Sequence, residues 1–436
     1  MSTSNTSACF SYLQRLSLFS LVPIFAFIYA LFEFVPALEF MNTTLLGILF
    51  CLSVFTHLVK KRNLIISNHT AEVYAFSLVW LSYCIFSYVW SNDPNLAFEY
   101  AKLIIRYIVI FVIFSQLFLS RKRQKQLVIF YQIVVFIYLG IALWEVFSGQ
   151  HLPSSRYYGT IVPIPSGPFL GENLLAAFLL ILLPHLSVPL FNMKRSTALS
   201  IFTLTVTILI YLLTILLGAR IALIALTIGC LLYLLIWAST TVRISLIVLM
   251  IVLPLYFIKF QPDLWRLASV FAKEQYGSIQ SEAASVEVGS IKIRERLIQH
   301  GFDMLVQSKL FGVGGGNFED YMIRGKNSNT SIIINPHNYG VELFSDFGVL
   351  IYLGFLYLYF YWLYHLWILY KKGEKDMRLT YRAHFFSLLF FLAASSLPSS
   401  IRASYLVWIY FAGIHSTCET GMAKLKEESD KKHVIA

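Results

Sequence analysis

Charged residues are scarce in this chain: they make up 13% of its 436 residues, whereas hydrophobic residues make up 58%. A soluble globular protein carries about 25% charged residues, so this composition excludes a large soluble core domain. The apolar stretches are continuous and lack the alternation of membrane-spanning strands, which excludes a β-barrel. We therefore expect an all-α, polytopic helical membrane protein.

Cysteine is also sparse, with five residues, and none falls in the connections that we assign below to the outer face. A disulfide framework is therefore not expected in the exposed part. The sequence also lacks internal repeats and low-complexity linkers. We interpret residues 1–436 as a single membrane domain.

Twelve apolar stretches have about the 20 residues that a helix needs to cross a bilayer. They cover residues 14–37, 41–59, 72–90, 103–120, 127–147, 173–191, 197–217, 221–238, 244–260, 344–367, 383–399 and 404–420. A long polar segment, residues 261–338, separates the ninth stretch from the tenth. A large loop on one side of a membrane protein is where we expect chemistry.

Basic residues fall at every second connection, and cytoplasmic loops are the ones enriched in Lys and Arg. They are Lys60, Lys61 and Arg62; Arg121, Lys122, Arg123 and Lys125; Lys194 and Arg195; Arg243; Lys371, Lys372, Lys375, Arg378 and Arg382; and Lys424, Lys426, Lys431 and Lys432. This alternation predicts a cytoplasmic-membrane protein with both termini inside and the 261–338 loop outside. The net charge of +11 then reflects topology, and its dispersal over separate loops argues against a nucleic-acid partner.

Residues 291–308 of the loop have the period of an amphipathic helix. The apolar face consists of Leu297, Ile298, Gly301, Phe302 and Leu305. Arg294 falls near the middle of that face. Either its side chain reaches past the helix end to solvent, or its guanidinium points at an anion beneath the loop.

A glycine-rich segment, residues 310–318, follows this helix. Nucleotide binding is not indicated, because no predicted strand precedes the segment and no Walker lysine follows it. Glycines permit tight turns and a close approach of the backbone to a ligand. We expect Gly314 to approach a sugar or a phosphate.

The sequence Asn335-Pro-His-Asn338 precedes the tenth span. Asn at the N-cap and Pro at the first helical position favour a helix start at Asn335, with His337 in the first turn. The helix dipole there disfavours imidazolium by about 0.3–2 kcal/mol. His337 is therefore expected to be neutral and able to accept a proton from a sugar hydroxyl. The alternative is an ordinary interfacial histidine. Asn338 is a further candidate for substrate contact.

Arginines at other helix ends give three more candidates. Arg220 lies at the outer junction of the seventh and eighth spans, where a charge is costly and either functional or directed to solvent. Arg156, beside Tyr157 and Tyr158, combines positive charge with aromatic faces that suit a sugar, although an aromatic belt at the membrane surface is the alternative. Arg402, between the last two spans, has the same ambiguity.

The run from Arg294 through the glycine-rich segment to Pro336-His-Asn338, followed by Glu342 and Gly348, resembles the outer loop of the bacterial O-antigen ligase/polymerase superfamily. The resemblance is close over residues 150–360 and rests on topology elsewhere.

Two shorter patterns carry the same resemblance. They are Gly167-Pro-Phe-Leu-Gly-Glu-Asn173, which opens the sixth span, and Gly218-Ala-Arg220, which closes the seventh. Ala219 and Lys309 stand where Ser and Pro are frequent in the family, but neither difference removes a charge. Asn173 is accordingly a candidate for substrate binding.

The resemblance implies a metal-independent, inverting membrane glycosyltransferase without a cofactor, whose donor is a glycan on undecaprenyl diphosphate. It implies that Arg220 and Arg294 hold the diphosphate and that His337 serves the acceptor hydroxyl. Arg296 is a rival to Arg294 as the ligand. The chain has no Asp-x-Asp pair of the kind that holds a divalent cation in metal-dependent transferases.

The acceptor stays open at this point. A glycan acceptor would make the protein a polymerase, which the Asn335–Asn338 pattern slightly favours; lipid A core would make it a ligase; and a protein acceptor is the third possibility. A transporter or lipid-linked-sugar flippase is the alternative of another class. Membrane lipids surround the protein in all four cases.

Overall fold

The computed structural model describes residues 67–187, 197–237, 290–325, 330, 333–398 and 404–435. Eleven α-helices make up the secondary structure of these residues, together with one short 3-10 helix at Ser87–Val89. The α-helices are α1 Asn68–Phe86, α2 Pro94–Leu117, α3 Arg121–Ser148, α4 Glu172–Ser187, α5 Thr197–Leu216, α6 Arg220–Trp237, α7 Ser290–Gln307, α8 Asn317–Arg324, α9 Tyr339–Lys372, α10 Arg378–Ala394 and α11 Tyr405–Ile435. The all-α prediction is therefore confirmed for the described part of the chain.

Nine of these helices coincide with predicted spans, and α7 coincides with the predicted loop helix. Three stretches, Asn68–Val89, Arg121–Ser148 and Tyr339–Lys372, are long and apolar enough to cross a membrane, and parts of α4, α5 and α6 are shorter apolar helices. The predicted spans 14–37, 41–59 and 244–260 lie outside the described residues, as do residues 261–289 of the predicted loop. The count of twelve spans stays a prediction.

Helix α2 begins nine residues before the predicted span 103–120. The prediction used apolar stretches, and these do not include the polar first turns of a helix that starts at a capping residue. The carboxylate of Asp93 accepts hydrogen bonds from the backbone N–H groups of Asn95 and Leu96. Pro94 occupies the first helical position, where its missing N–H costs nothing. The helix therefore continues well into the polar connection.

Helices α4 and α10 run antiparallel and are joined inside the bundle by buried polar contacts. The Ser387 hydroxyl of α10 donates to the Ile181 carbonyl of α4 at 2.5 Å. One helical turn away on each helix, the imidazoles of His185 and His384 meet at 3.1 Å. The start of α4 therefore lies beside the end of α10.

One end of the bundle is basic and the other carries the loop helices. At the first end, Glu374 forms ion pairs with Arg121 and Lys424, and Lys125 lies 3.1 Å from Asp376. We call this the basic end. The opposite end, called the site end, holds the starts of α2, α4 and α9 and the ends of α3 and α10. The predicted exposure of the site end to the outside stays a prediction.

The loop helices α7 and α8 pack against α9 through a core of their own. Its buried residues include Ile293, Leu297, Met304, Phe318, Met322, Val341 and Phe344. Closest contact occurs at Gly301, where an added Cβ would lie 2.6 Å from Val341. The predicted apolar face is wrong at Phe302, which is 53% exposed. Because the buried stripe is centred on Gly301, Phe302 falls at its edge, where its ring lies tilted against that of Phe344 with 4.8 Å between the ring centres.

Candidate active site

His337 lies immediately before α9 and has a left-handed backbone, with φ of 47°. Asn338 is the N-cap, since its side-chain oxygen accepts from the N–H of Val341 at 3.2 Å. The predicted helix start at Asn335, with His337 in the first turn, is therefore wrong. Both Asn335 and Asn338 are good caps, but the left-handed His337 between them prevents a helix from starting earlier.

A turn that follows α10, residues 395–397, joins the candidate residues. The Arg294 guanidinium donates to the Ser396 carbonyl at 2.8 Å. The Asn338 amide donates to the Ser396 hydroxyl at 3.2 Å. The N–H of Tyr339 donates to the Ser395 carbonyl at 2.9 Å. A loop helix and the start of α9 are thus tied to the same three residues, about 60 to 100 positions away in the sequence.

The imidazole of His337 is held neutral by its surroundings. Burial lowers its pKa, and the positive charges of Arg294 and, more weakly, Arg156 lower it further, against a hydrogen bond to the Leu397 backbone. The expected neutral state is therefore supported, but burial and arginine charge cause it. His337 Nδ1 is buried and has no hydrogen-bond partner in the described part of the chain.

Arg294 is half-buried on the loop helix α7, and its guanidinium is directed to the Ser396 carbonyl. Burial lowers its pKa, although an arginine stays charged at neutral pH. Arg294 contacts Ser396 and acts electrostatically on His337, and the choice between Arg294 and Arg296 as the ligand of an anion stays open. An anion beneath the loop, the second interpretation of Arg294, stays a prediction.

Arg156 is paired with a carboxylate that sequence reasoning did not assign to it. Its guanidinium lies 2.5 Å from Glu172, donates to the Tyr157 hydroxyl at 2.7 Å and covers the Tyr157 ring at 4.9 Å. Burial opposes the charged form, but Tyr157 and Glu172 outweigh it and raise the pKa of Arg156. The charge of Arg156 acts on His337, although Arg156 itself is largely neutralised by Glu172.

The loop that carries Arg156 is anchored by Glu145, a fully buried acid near the end of α3. Its carboxylate accepts from the N–H groups of Ser166 at 2.8 Å and Gly167 at 2.6 Å, and lies 3.2 Å from His151 Nδ1. A single acid within an otherwise apolar span was the signal that could have revealed this role. The anchor fixes the position of the loop over the site end.

The structure does not join Arg220 to the other two residues. Arg220 is exposed at the start of α6, where its N–H donates to the Gly218 carbonyl at 2.9 Å across a tight turn. No contact of Arg220 with Arg294 or His337 is recorded among the described residues. Its role in holding a diphosphate stays a prediction. Asn173, half-buried beside Glu172, also stays a prediction, and Arg402 lies outside the described residues.

The glycine-rich segment packs against a break in α9. Gly348, inside that helix, has φ of 77°, and an added Cβ would lie 2.4 Å from the Leu310 carbonyl. The freed backbone groups pair with the segment: Val349 donates to the Leu310 carbonyl at 3.0 Å, and Gly314 donates to the Asp346 carbonyl at 2.9 Å. Gly314 is therefore used in a structural contact, and its predicted contact with a substrate stays a prediction.

Asp346 occupies the place that an anionic ligand would take in this segment. Its carboxylate accepts from the N–H groups of Gly316 at 2.9 Å and Phe318 at 3.0 Å, at the start of α8. Ser87 accepts from Gly315 nearby. The anion site of this helix start is thus filled from within the protein.

Comparisons with known proteins show what the chain resembles. A family model described as O-Antigen ligase matches residues 204–356, a range that includes α6, α7, α8 and the start of α9. A curated relative, the "Teichuronic acid biosynthesis protein TuaE" of Bacillus subtilis (strain 168), is 24% identical over 381 residues, which are 83% of this chain and 75% of the relative. The family match contains Arg220, Arg294 and His337.

Proposed function

We propose that this chain, for which both comparisons support an O-antigen ligase/polymerase-like protein, transfers a glycan from undecaprenyl diphosphate to an acceptor glycan at the outer face of the cytoplasmic membrane. The coarser role, a glycosyl-transferring membrane protein in cell-surface polysaccharide synthesis, is supported by both comparisons. Donor, acceptor and mechanism are parts of the proposal. It includes a metal-independent reaction with inversion at the anomeric carbon.

The observation that carries the proposal is the pairing of a half-buried cation with a neutral, incompletely bonded imidazole. Arg294 donates one N–H to the Ser396 carbonyl, and this bond orients the guanidinium group. An arginine has five N–H donors in all, so others can bind a ligand. His337 Nδ1 is buried without a partner in the described residues. A buried polar atom without a partner is costly, and a substrate hydroxyl would satisfy it.

The chemistry requires two things that this pair supplies. The acceptor oxygen forms a bond to the anomeric carbon of the donor, while the bond from that carbon to the diphosphate oxygen breaks and the diphosphate keeps the electron pair. Arg294 stabilises the departing charge through charge-assisted hydrogen bonds of about 1.5–3 kcal/mol each. His337 takes the proton of the acceptor hydroxyl. Arg220 is proposed as the second diphosphate ligand.

Among the three possible acceptors we favour a glycan, which would make the protein a polymerase. The relative is named for teichuronic acid biosynthesis, and a role in polysaccharide synthesis agrees with extension of a glycan by further glycan units. Ligation to lipid A core and transfer to protein are outcomes that the following experiment separates.

The test is reconstitution of the purified protein with an undecaprenyl-diphosphate oligosaccharide as the only substrate. A ladder of products supports the polymerase, whereas reaction only after addition of lipid A core or of a protein acceptor assigns the other activities. No product with any acceptor contradicts the proposal. In cells, inward accumulation of lipid-linked precursor in an Arg294→Ala strain would assign a flippase instead.

A further inference from the structure

A cavity lies at the far end of the loop helix α7 from Arg294. It is a groove of about 460 Å³, a size typical of small-molecule sites. Its lining includes Trp90, Asn92, Gln307, Lys309, Phe311 and Tyr321. Thirteen residues of helix separate Arg294 from Gln307, which is about 20 Å along the helix axis. The groove is therefore distinct from the candidate active site but is connected to it by one rigid element.

Its walls combine aromatic rings with amide side chains. Phe311 is 58% exposed and Trp90 is 39% exposed, so ring surface is available to a ligand. Asn92 is exposed, and an Asn amide both donates and accepts hydrogen bonds. Apolar ring faces with a few amide groups suit a sugar, which presents C–H surface on one side and hydroxyl groups around its edge.

Three aromatic residues in or beside the groove are held by hydrogen bonds to other groups of the protein. Trp90 donates its indole N–H to the Gly312 carbonyl at 3.0 Å. Tyr83 donates its hydroxyl to the Phe311 carbonyl at 2.6 Å. Tyr321 donates to the side-chain oxygen of Gln307. Aromatic residues that anchor a protein in a bilayer instead direct their polar groups to the lipid headgroups. This arrangement fixes the groove before a ligand arrives, which reduces the ordering cost of binding.

We propose that this groove binds the glycan chain at a distance of about 20 Å from the reacting bond, so that long saccharides are held by two sites at once. The inference rests on the proposed function, since it takes the substrate to be a glycan. It predicts that affinity rises once a saccharide is long enough to span the distance from the His337 region to Phe311.

The experiment uses the full chain in lipid nanodiscs and lipid-free oligosaccharides, prepared by partial hydrolysis of the host's own cell-surface polysaccharide and separated by length. Calorimetric titration measures their affinities. The unmutated protein is expected to bind long fractions more tightly than short ones. The double variant Phe311→Ala with Asn92→Ala is expected to weaken binding of long fractions about tenfold and to abolish the dependence on length.

Two further variants make the outcome specific. Phe147→Ala removes a ring that is 85% exposed at the end of α3, outside the groove lining, and is expected to leave the length dependence intact. Arg294→Ala is expected to keep the length dependence and to lose transfer, which separates this inference from the proposed function. If the unmutated protein transfers glycan but the double variant binds long fractions as tightly as it does, the groove inference fails alone.

Two other results overturn the groove inference. One is equal affinity of the unmutated protein for short and long fractions. The other is a double variant with unchanged glycan affinity but a lower melting temperature in nanodiscs than Phe147→Ala, because this would show that Phe311 and Asn92 stabilise the fold and do not bind glycan. If long fractions bind tightly but no acceptor supports transfer, the groove stands and the proposed function fails.

Discussion

The region around Arg294 and His337 and the glycine-rich segment are equally conspicuous in the sequence, but their polar groups have different fates. In the glycine-rich segment, the N–H groups of Gly314 and Gly316 are bonded to Asp346. At the other region, His337 Nδ1 is buried and lacks a partner in the described part of the chain. The comparison teaches that a motif whose polar groups are satisfied within the protein is scaffold, whereas one with polar groups left over is a candidate for chemistry.

The largest expected effect is that of Arg294→Ala on transfer. Loss of a donor to developing charge typically lowers turnover by about 10²–10³-fold, and we expect at least this reduction with a folded protein. Product formation from an undecaprenyl-diphosphate oligosaccharide is the measurement, with thermal unfolding in parallel. Arg324→Ala, at an arginine that is paired with Asp320 on α8, is the matched control. Equal losses in both variants would remove the distinction between the two regions.

Gly348→Ala should act on stability and not directly on chemistry. Gly348 combines φ of 77° with ψ of −178°, a conformation essentially restricted to glycine that costs other residues on the order of 1–3 kcal/mol, and an added Cβ would also meet the Leu310 carbonyl at 2.4 Å. We expect a melting temperature several degrees lower, with activity lost in proportion to folded protein. Gly140→Ala is the control, because nothing lies within 4 Å of its added Cβ. A Gly348→Ala protein that melts normally but is inactive would assign the break to the reaction.

Asp346→Asn should have a smaller effect of the same kind. The carboxylate accepts from Gly316 and Phe318, and hydrogen bonds to a charged group contribute about 1.5–3 kcal/mol. The amide retains one acceptor oxygen, so we expect a loss of stability of about 1–2 kcal/mol, measured by chemical unfolding in detergent. Tighter or looser binding of the lipid diphosphate without a change in stability would show that the segment contacts the substrate.

The smallest expected effect is on the pH profile of transfer. Because the pKa of His337 is lowered below 6.5 by burial and by Arg294 and Arg156, the neutral imidazole persists into mildly acidic solution. Activity should fall only as the pH drops through that lowered pKa. Arg156→Gln removes one positive charge and leaves Glu172 unpaired, so both changes raise the pKa of His337 and move the acid limb upward. A limb that stays in place or moves to lower pH would contradict the assignment of His337.

Sequence patterns predicted the helices and the unusual position of Arg294, since both depend on local periodicity. The partners of these residues were beyond reach, because Ser396 is about a hundred positions from Arg294 and no local signal marks it. The helix start at α9 was misplaced because two Asn caps compete and only the backbone of His337 decides between them. Pairing of Arg156 with Glu172 likewise depends on the turn of an intervening loop.

The role of the glycine-rich segment also could not be predicted from the sequence. Its composition is compatible with a loop that binds a ligand or with close packing of backbones. Which of the two applies depends on whether a hydrogen-bond acceptor of the protein itself already faces the N–H groups of the segment. Asp346 and Gly348 supply that answer from the broken helix α9. Neither residue differs in the sequence from an ordinary interruption of an apolar span.

The central claim is that Arg294 holds the diphosphate of the lipid donor, and direct binding of undecaprenyl diphosphate tests it without any acceptor. Titration in nanodiscs should show at least about tenfold weaker binding by Arg294→Ala, which corresponds to loss of one charge-assisted hydrogen bond, and unchanged binding by Arg324→Ala. Equal affinity of the Arg294→Ala and unmutated proteins for undecaprenyl diphosphate would contradict the claim.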